Sequence, residues 1–241
     1  MKLLTLQKLH KWVALFVGIQ VLLWTLSGLV FTLLDPRSVS GELLASPPPM
    51  PTLTAEVTLT DPSAWMGTYA DRSVHEVSLR PLDGGWVYRI AHEGGSELRH
   101  ATDGAPVVID AARARRFALD HYRGEGRLVA VRYHAESTLE TRQAGATWRA
   151  TFDDPPGTNL YFSADDGSMV AARTDAWRVY DFFWMLHTMD YAGRDDFNNP
   201  LVILVGSAAL WIGLTGVLLL LRVFRWNVSP SRQTKVDAEI T

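Results

Sequence analysis

The stretch from residue 12 to residue 34 reads WVALFVGIQVLLWTLSGLVFTLL and contains no charged side chain. A second uncharged stretch runs from Leu201 to Leu221. Both exceed the roughly 20 residues that an α-helix needs to cross a hydrocarbon core of about 30 Å. They predict transmembrane helices over residues 12–34 and 200–222, with a folded segment between them.

The apolar core of a cleaved signal peptide offers another interpretation of the first stretch, because basic residues precede it. The stretch is longer than such a core, however, and Leu33-Leu34-Asp35-Pro36 follows it in place of a small-x-small cleavage site. We therefore interpret it as a signal anchor.

The basic residues that flank the two stretches predict the orientation, since Lys and Arg concentrate in cytoplasmic loops. Both termini are expected in the cytoplasm, and the segment between the helices in the periplasm of a bacterial inner-membrane protein. The flanking residues are Lys2, Lys8 and Lys11 before the first helix, and Arg222, Arg225, Arg232 and Lys235 after the second.

The central segment is acidic. It contains sixteen Arg, no Lys and twenty-four acidic residues, which gives a net charge of −8. Such a surface attracts cations weakly, and we expect no nucleic-acid partner.

The motif content of the chain narrows its chemistry. The chain has no cysteine, which excludes disulfides, thiolate zinc sites and iron–sulfur clusters. It has no phosphate loop, dinucleotide fingerprint, nucleophile elbow or zinc-protease motif, and we recognise no NAD or flavin site. A reductase built on this chain would take its electrons from a cytoplasmic flavoprotein or from quinol.

A weak internal repeat divides the central segment into two units. Residues 101–107 (ATDGAPV) align with residues 164–170 (ADDGSMV) at an offset of 63 residues, and a strand led by Trp precedes each Asp-Gly turn. The Ala-rich stretch 110–122 predicts a helix that opens the second unit, and a shorter helix near residues 61–69 opens the first. Each unit is then one helix followed by about three antiparallel strands. The predicted fold class is an α+β domain of two tandem helix-plus-antiparallel-sheet units, anchored by two transmembrane α-helices.

Three further patterns predict the boundaries. The proline-rich run 46–51 is typical of a stiff linker. The aromatic stretch from Trp177 to Tyr191 predicts a helix at the outer membrane interface, where such rings settle, and Asn199 and Pro200 predict the start of the second transmembrane helix. The predicted segments are a cytoplasmic N-terminus (1–11), the first transmembrane helix (12–34), a linker (35–54), the periplasmic domain (55–175), the interfacial helix (176–192), the second transmembrane helix (200–222) and a cytoplasmic tail (223–241).

Four short motifs and the doubled unit resemble the PepSY-associated transmembrane proteins. The motifs are Leu9-His10-Lys11-Trp12, Leu26-Ser27-Gly28-Leu29, Leu186-His187 and Leu214-Thr215-Gly216-Val217. The resemblance covers nearly the whole chain and is closest to a short two-span subgroup that includes the VciB-type proteins, which are linked to ferric iron reduction in support of ferrous iron uptake. It extends to larger siderophore reductases, which carry b haems between more numerous membrane helices. It implies two PepSY-like units, haem b, and a dimer that supplies the missing helices.

Two of the seven histidines, His10 and His187, border the membrane and lie in these motifs. The resemblance implies that they are axial haem ligands, and the alternative is an ordinary role as partly buried polar residues. Helical spacing gives each a candidate haem-facing surface: Val13, Ala14, Val17 and Val21 near His10, and Tyr180, Phe183, Trp184 and Tyr191 near His187.

The distance between the two histidines limits how they can act. A first helix of about 24 residues separates them by roughly 36 Å, too far for one haem. We therefore expect a two-fold homodimer in which His10 of each subunit ligates an inner haem and His187 of each ligates an outer one. A His187 helix that dips into the membrane offers an alternative, in which His187 pairs with another ligand.

Other polar and small residues have simpler interpretations. Thr25 and Ser27 are expected to bond carbonyl groups of their own helix, and the stripe formed by Gly206, Ala209, Gly213 and Gly216 is expected to pack against a helix.

A metal site in the central segment has only weak candidates. They are His92, Glu93 and His100, and ferric ion suits carboxylates and imidazoles. Solvated strand edges and turns explain these residues more simply.

The sequence thus predicts a haem-b electron-transfer protein of the inner membrane. It is a candidate ferric reductase, passing electrons to ferric iron or ferric chelates on the periplasmic side in support of iron uptake. The alternatives are a membrane-anchored PepSY module that binds or regulates a partner, and an accessory subunit of a respiratory or reductase complex.

Overall fold

A computed structural model of the chain describes residues 3–54 and 57–227. The helices are α1 (Leu3–Leu33), α2 (Pro36–Ser40), α3 (Ser63–Met66), α4 (Ala111–His121), α5 (Asp175–Thr188) and α6 (Pro200–Asn227), with a 3-10 turn at Gly67–Tyr69. The strands are β1 (Val74–Leu82), β2 (Gly85–His92), β3 (Gly95–His100), β4 (Pro106–Val107), β5 (Leu128–His134), β6 (Thr147–Phe152), β7 (Asn159–Ser163) and β8 (Met169–Arg173).

The long helices α1 and α6 flank a central domain. Each contains a stretch that is long and apolar enough to cross a membrane, Gln7–Leu33 in α1 and Pro200–Phe224 in α6. The predicted cap of α6 is present, because the Asn199 side-chain oxygen accepts hydrogen bonds from the next free backbone N–H groups. The predicted tail beyond Asn227 and the predicted domain start at residue 55 lie outside the described residues.

The central domain contains two four-stranded antiparallel sheets, in the orders β1-β2-β3-β4 and β5-β6-β7-β8. The predicted α+β class is confirmed, although about three strands per unit was one too few. In each unit the Asp-Gly turn returns the chain into one further strand. In the first unit that strand, β4, has two residues, too few to show an alternating pattern.

The two Asp-Gly turns have the same structure at the predicted offset. Gly104 and Gly167 adopt left-handed φ angles of 73° and 69°. A Cβ atom on Gly104 would lie 2.7 Å from the Trp65 ring, and one on Gly167 would lie 2.6 Å from the Phe117 ring. Because each aromatic residue belongs to the helix that opens the same unit, the repeat is a packing unit as well as a sequence pattern.

One apolar core joins the two sheets and α4. Alternate residues of the strands face it, as strand geometry requires. The opposite face of β2 carries Tyr88 and Ile90, which pack on Trp65 and Tyr69 in a smaller cluster. The shared core includes Val87, Leu98 and Val107 from the first sheet, Phe117 and Ala118 from α4, and Ala150, Phe152, Leu160, Phe162 and Ala172 from the second sheet.

Part of the predicted linker packs on the domain. Ala45 is buried and pairs with Tyr122 in an isolated β-bridge. The Ser38 carbonyl, in α2, accepts a hydrogen bond from the Thr174 hydroxyl at 3.0 Å. Only from Pro47 onward is the proline-rich segment exposed along its length.

A buried carboxylate links the two units. Asp166, in the second Asp-Gly turn, lies 2.7 Å from Arg89 Nε and 3.4 Å from Arg80 Nη1 of the first sheet. Burial by itself raises the pKa of Asp166, but hydrogen bonds from Ser168 and Arg89 and the charge of Arg80 lower it to about 2.

This linkage predicts a pH-dependent stability. The folded pKa lies below the ordinary 3.8, so the contribution of Asp166, about 2 kcal/mol, is complete above pH 4 and is lost as the pH falls toward 2. We expect the difference in unfolding free energy between the native protein and Asp166→Asn to shrink over that interval when both are unfolded in parallel at each pH. A difference that does not change with pH would contradict the prediction.

Candidate functional site

Helix α5 runs antiparallel to the C-terminal half of α1. The Tyr180 ring lies 4.8 Å from the Phe31 ring, and farther along α5 the Leu186 carbonyl accepts a hydrogen bond from Gln20 Nε2 at 3.0 Å. The predicted helix at 176–192 is therefore present, but it lies along α1, and its C-terminal end reaches the middle of the first span. Donors from α1 satisfy carbonyl groups of its last turn, which have no partner within α5 itself.

The C-terminal end of α5 is sharply defined. Met189 adopts a left-handed φ of 54° and stops the helix after Thr188. The Thr188 carbonyl accepts a hydrogen bond from Asn199 Nδ2 at 2.9 Å, which joins the end of α5 to the start of α6. Tyr191 lies beyond the helix and is exposed, so helical spacing does not place it on the face of His187.

The first site is built around His187, in the last turn of α5. Its ring Nδ1 lies 2.7 Å from Ser27 Oγ, and its carbonyl accepts a hydrogen bond from Trp24 Nε1 at 2.7 Å. The Phe31 ring lies 5.6 Å from the His187 ring. Ser27 is fully buried. Its hydroxyl also contacts carbonyls of its own helix, as predicted, but the contact with His187 makes it part of the site.

The second site is built around His10, near the N-terminal end of α1. Its ring Nδ1 lies 2.7 Å from Thr215 Oγ1 of α6, and the Trp211 ring lies 6.3 Å away. Gly216 lies beside the ring, and a Cβ atom there would make an ordinary contact with His10 Cε1 at 3.6 Å. Of the predicted apolar face beside His10, Val17 is buried within the protein.

The two sites share one geometry at different levels of the first span. Among the described residues, neither Nε2 atom has a hydrogen-bond partner, whereas both Nδ1 atoms do. Ser27, which contacts His187, follows His10 by seventeen residues on α1. At 1.5 Å per residue the sites are about 26 Å apart along the helix, which corrects the expected 36 Å and still excludes one shared haem.

The aromatic residues predicted to surround His187 lie in different places in the structure. The Tyr180 and Trp184 rings stack at 6.1 Å and both lie beside Phe31. The Phe183 ring contacts its neighbour Phe182 edge-on at 5.4 Å. The rings next to His187 are those of Phe31 and Trp24 of α1, at 5.6 and 6.4 Å, and two of the four predicted residues pack against Phe31.

A buried ion-pair cluster fastens α5 to the second sheet unit. The Asp181 carboxylate lies 2.5 Å from Arg142 Nη2 and 2.5 Å from Arg194 Nη1. Arg142 also donates to the Gly193 carbonyl at 2.6 Å. The loop between β5 and β6 thus contacts both α5 and the segment that leads to α6.

A second contact holds the start of α5. Glu140, on the same loop, accepts hydrogen bonds from Arg178 Nε at 2.8 Å and from the Tyr161 hydroxyl at 2.7 Å. Burial raises the pKa of Glu140, but these bonds and one from Asn159 outweigh burial and hold the pKa below its usual value.

The weak metal candidates are not brought together. His92 ends β2 and pairs with Gly95, whereas His100 lies at the far end of β3 opposite Val87. His92 Nε2 lies 3.4 Å from Glu97. In the described ranges, no group of three or more His, Cys, Asp or Glu residues is placed to hold a metal ion.

Sequence reasoning missed the polar partners of both histidines. Ser27 and Thr215 occupy the same place in two similar tetrapeptides, Leu-Ser-Gly-Leu at 26–29 and Leu-Thr-Gly-Val at 214–217. A hydroxyl followed by glycine in each apolar span was the available signal. Gln20 and Trp24 gave no such signal, because their role depends on where α5 docks.

The chain belongs to the family described as the PepSY-associated TM region, whose model matches residues 7–237. It is thus a membrane-associated PepSY protein with one membrane helix at each end of its α+β domain. No curated protein and no solved structure matched the chain.

Proposed function

We propose that this chain is a b-haem electron-transfer protein of the bacterial inner membrane, with His10 and His187 as axial ligands. The carrying observation is the shared geometry of the two sites, in which Nδ1 is held by a buried hydroxyl and Nε2 has no partner among the described residues. Histidine ligands in metalloproteins characteristically donate the other ring N–H to an oxygen acceptor. When bound, haem supplies a one-electron redox couple at each level of the membrane.

The surroundings of both rings suit a flat apolar group. Phe31 lies beside His187, and Trp211 lies beside His10. No acidic side chain lies within salt-bridge distance of either histidine among the described residues, so neither ring is committed to an ion pair. Placing an ionisable residue in a membrane span costs free energy, and residues kept there despite that cost usually serve a function.

A two-fold homodimer completes both sites. Each ring offers one nitrogen without a partner in residues 3–54 and 57–227, and the separation of the sites prevents His10 and His187 from sharing a haem. In a symmetric dimer, His10 meets His10 of the partner subunit and His187 meets His187 of the partner subunit. Of an apolar stretch of 18 residues in each span, 11% in α1 and 6% in α6 are buried within one chain, which leaves ample helix surface for such contacts.

The proposed direction of electron flow is outward, from a cytoplasmic flavoprotein or quinol to ferric iron or a ferric chelate in the periplasm. The positively charged flanks, Lys8 and Lys11 beside His10 and Arg222 near the C-terminal end of α6, support a cytoplasmic location for the His10 site. The acidic central domain then lies on the side where ferric iron would be reduced.

The first test is the reduced-minus-oxidised visible spectrum of the purified full chain, with haem quantified per chain. We expect a b-type spectrum, and we expect a ferric chelate added to the reduced protein to restore the oxidised spectrum. A colourless protein would contradict the proposal and support a binding module. A haem protein that ferric chelates do not reoxidise would contradict the proposed acceptor.

A further inference from the structure

Ser27 and Thr215 make matching contacts at the two sites. Each hydroxyl lies 2.8 Å from the carbonyl oxygen four residues earlier in its own helix, that of Leu23 or Trp211. Each also lies 2.7 Å from the Nδ1 atom of a histidine on another helix. One site takes its histidine from α1 and its hydroxyl from α6, whereas the other takes its hydroxyl from α1 and its histidine from α5.

The contacts favour one ring nitrogen as the carrier of the proton. A hydroxyl has one hydrogen to donate, and a carbonyl oxygen can only accept. When each hydroxyl donates its hydrogen to the carbonyl of its own helix, a lone pair of the hydroxyl faces Nδ1. In that arrangement the 2.7 Å contact is a hydrogen bond donated by Nδ1–H.

Burial keeps this arrangement free from competition by water. Ser27 is 0% exposed and Thr215 is 6% exposed. A neutral imidazole with its hydrogen on Nδ1 has its lone pair on Nε2, the atom that has no partner at either site within the described part of the chain. In this arrangement the hydroxyl holds both the tautomer and the orientation of the ring.

We propose that Ser27 and Thr215 are positioning residues that hold His187 and His10 in the Nδ1–H tautomer, with Nε2 available for an axial bond. The inference rests on the proposed function only for what Nε2 binds, because the tautomer is a property of the chain without haem. Each glycine that follows, Gly28 or Gly216, adds no side chain beside the hydroxyl.

The test uses the full chain without haem, labelled with ¹⁵N at histidine, and reads which ring nitrogen bears the proton by long-range ¹H–¹⁵N NMR. We expect Nδ1–H at both sites, assigned by the loss of signals in His10→Ala and His187→Ala. Ser27→Ala should change only the His187 signals and Thr215→Val only those of His10. Nε2–H in the native protein, or unchanged signals in both variants, would overturn the inference.

Two matched variants separate positioning from general packing. Thr25→Val removes a hydroxyl on an exposed face of the same helix, whose only bond among the described residues is to the Val21 carbonyl, and it should change neither histidine. Thr215→Ser keeps the hydroxyl and should keep the native His10 signals. If Thr25→Val alters the His187 signals as strongly as Ser27→Ala does, the effect is general packing and the inference fails.

Haem binding by these variants provides a second test of the positioning role. Loss of a group that orients a metal-bound histidine typically weakens the metal site 10–100-fold, and we expect haem affinity to fall by about 10-fold in Ser27→Ala and in Thr215→Val. Unchanged affinity and midpoint potential in both would contradict positioning. A native protein that shows Nδ1–H but takes up no haem would contradict the proposed function and leave the tautomer assignment standing.

Discussion

Replacing both His10 and His187 by Ala is expected to abolish haem binding. Each ring offers the only free imidazole nitrogen at its level of the span among the described residues, and a haem in an apolar site needs its axial bonds to stay bound. In the proposed homodimer, two chains share two haems, so the native protein should contain about one haem per chain.

The single variants should divide this content between the sites. His10→Ala and His187→Ala are each expected to retain about half of the native haem, with different midpoint potentials for the haem that remains. The measurement is haem per chain by pyridine haemochrome, followed by potentiometric titration. About two haems per native chain would contradict the shared symmetric sites.

The matched control is His75→Ala. His75 is exposed on β1, far from the spans in sequence and outside both sites. Its replacement should leave haem content and potentials unchanged. Native haem content in the double variant, or an equal loss in His75→Ala, would contradict the assignment of His10 and His187.

The parts of the fold that depend on local sequence could be predicted from it. The two spans follow from uncharged runs, and the doubled unit follows from Asp-Gly turns at a constant offset. Helix α4 begins where the N-cap rule places it, since the Asp110 carboxylate accepts the Arg113 N–H at 2.8 Å.

The candidate sites could be predicted only in part. The motif histidines stand out in the sequence, but the hydroxyls of Ser27 and Thr215 bond their own helices whether or not a histidine is near. Their second contact depends on how α5 and α6 dock on α1, which joins residues about 160 and 205 positions apart. No local periodicity encodes such a register.

The docking of α5 itself depends on the ion-pair cluster around Asp181, six residues before His187. The Asp181 side chain is 4% exposed, and Arg142 and Arg194 are 26% and 22% exposed. Breaking a buried pair by removing one partner typically costs 3–5 kcal/mol, because the remaining charge stays desolvated. Since both arginines keep some contact with solvent, we expect about 3 kcal/mol from Asp181→Asn.

Asp181→Asn is therefore expected to lower the thermal unfolding midpoint by roughly 10 °C in lipid nanodiscs, and to affect the His187 site before the His10 site. Arg142 and Arg194 would repel each other once the carboxylate is gone, and the β5–β6 loop would release α5 and the segment before α6.

The matched control is Asp175→Asn on the same helix. The pair of Asp175 with Arg178 has a carboxylate side chain that is 67% exposed, so the cost of this substitution should stay below about 1 kcal/mol. Heating followed by both absorbance of the haem and circular dichroism would show the order of events. Equal losses in the two variants, or simultaneous loss of both haems in Asp181→Asn, would show that the cluster does not hold His187 in place.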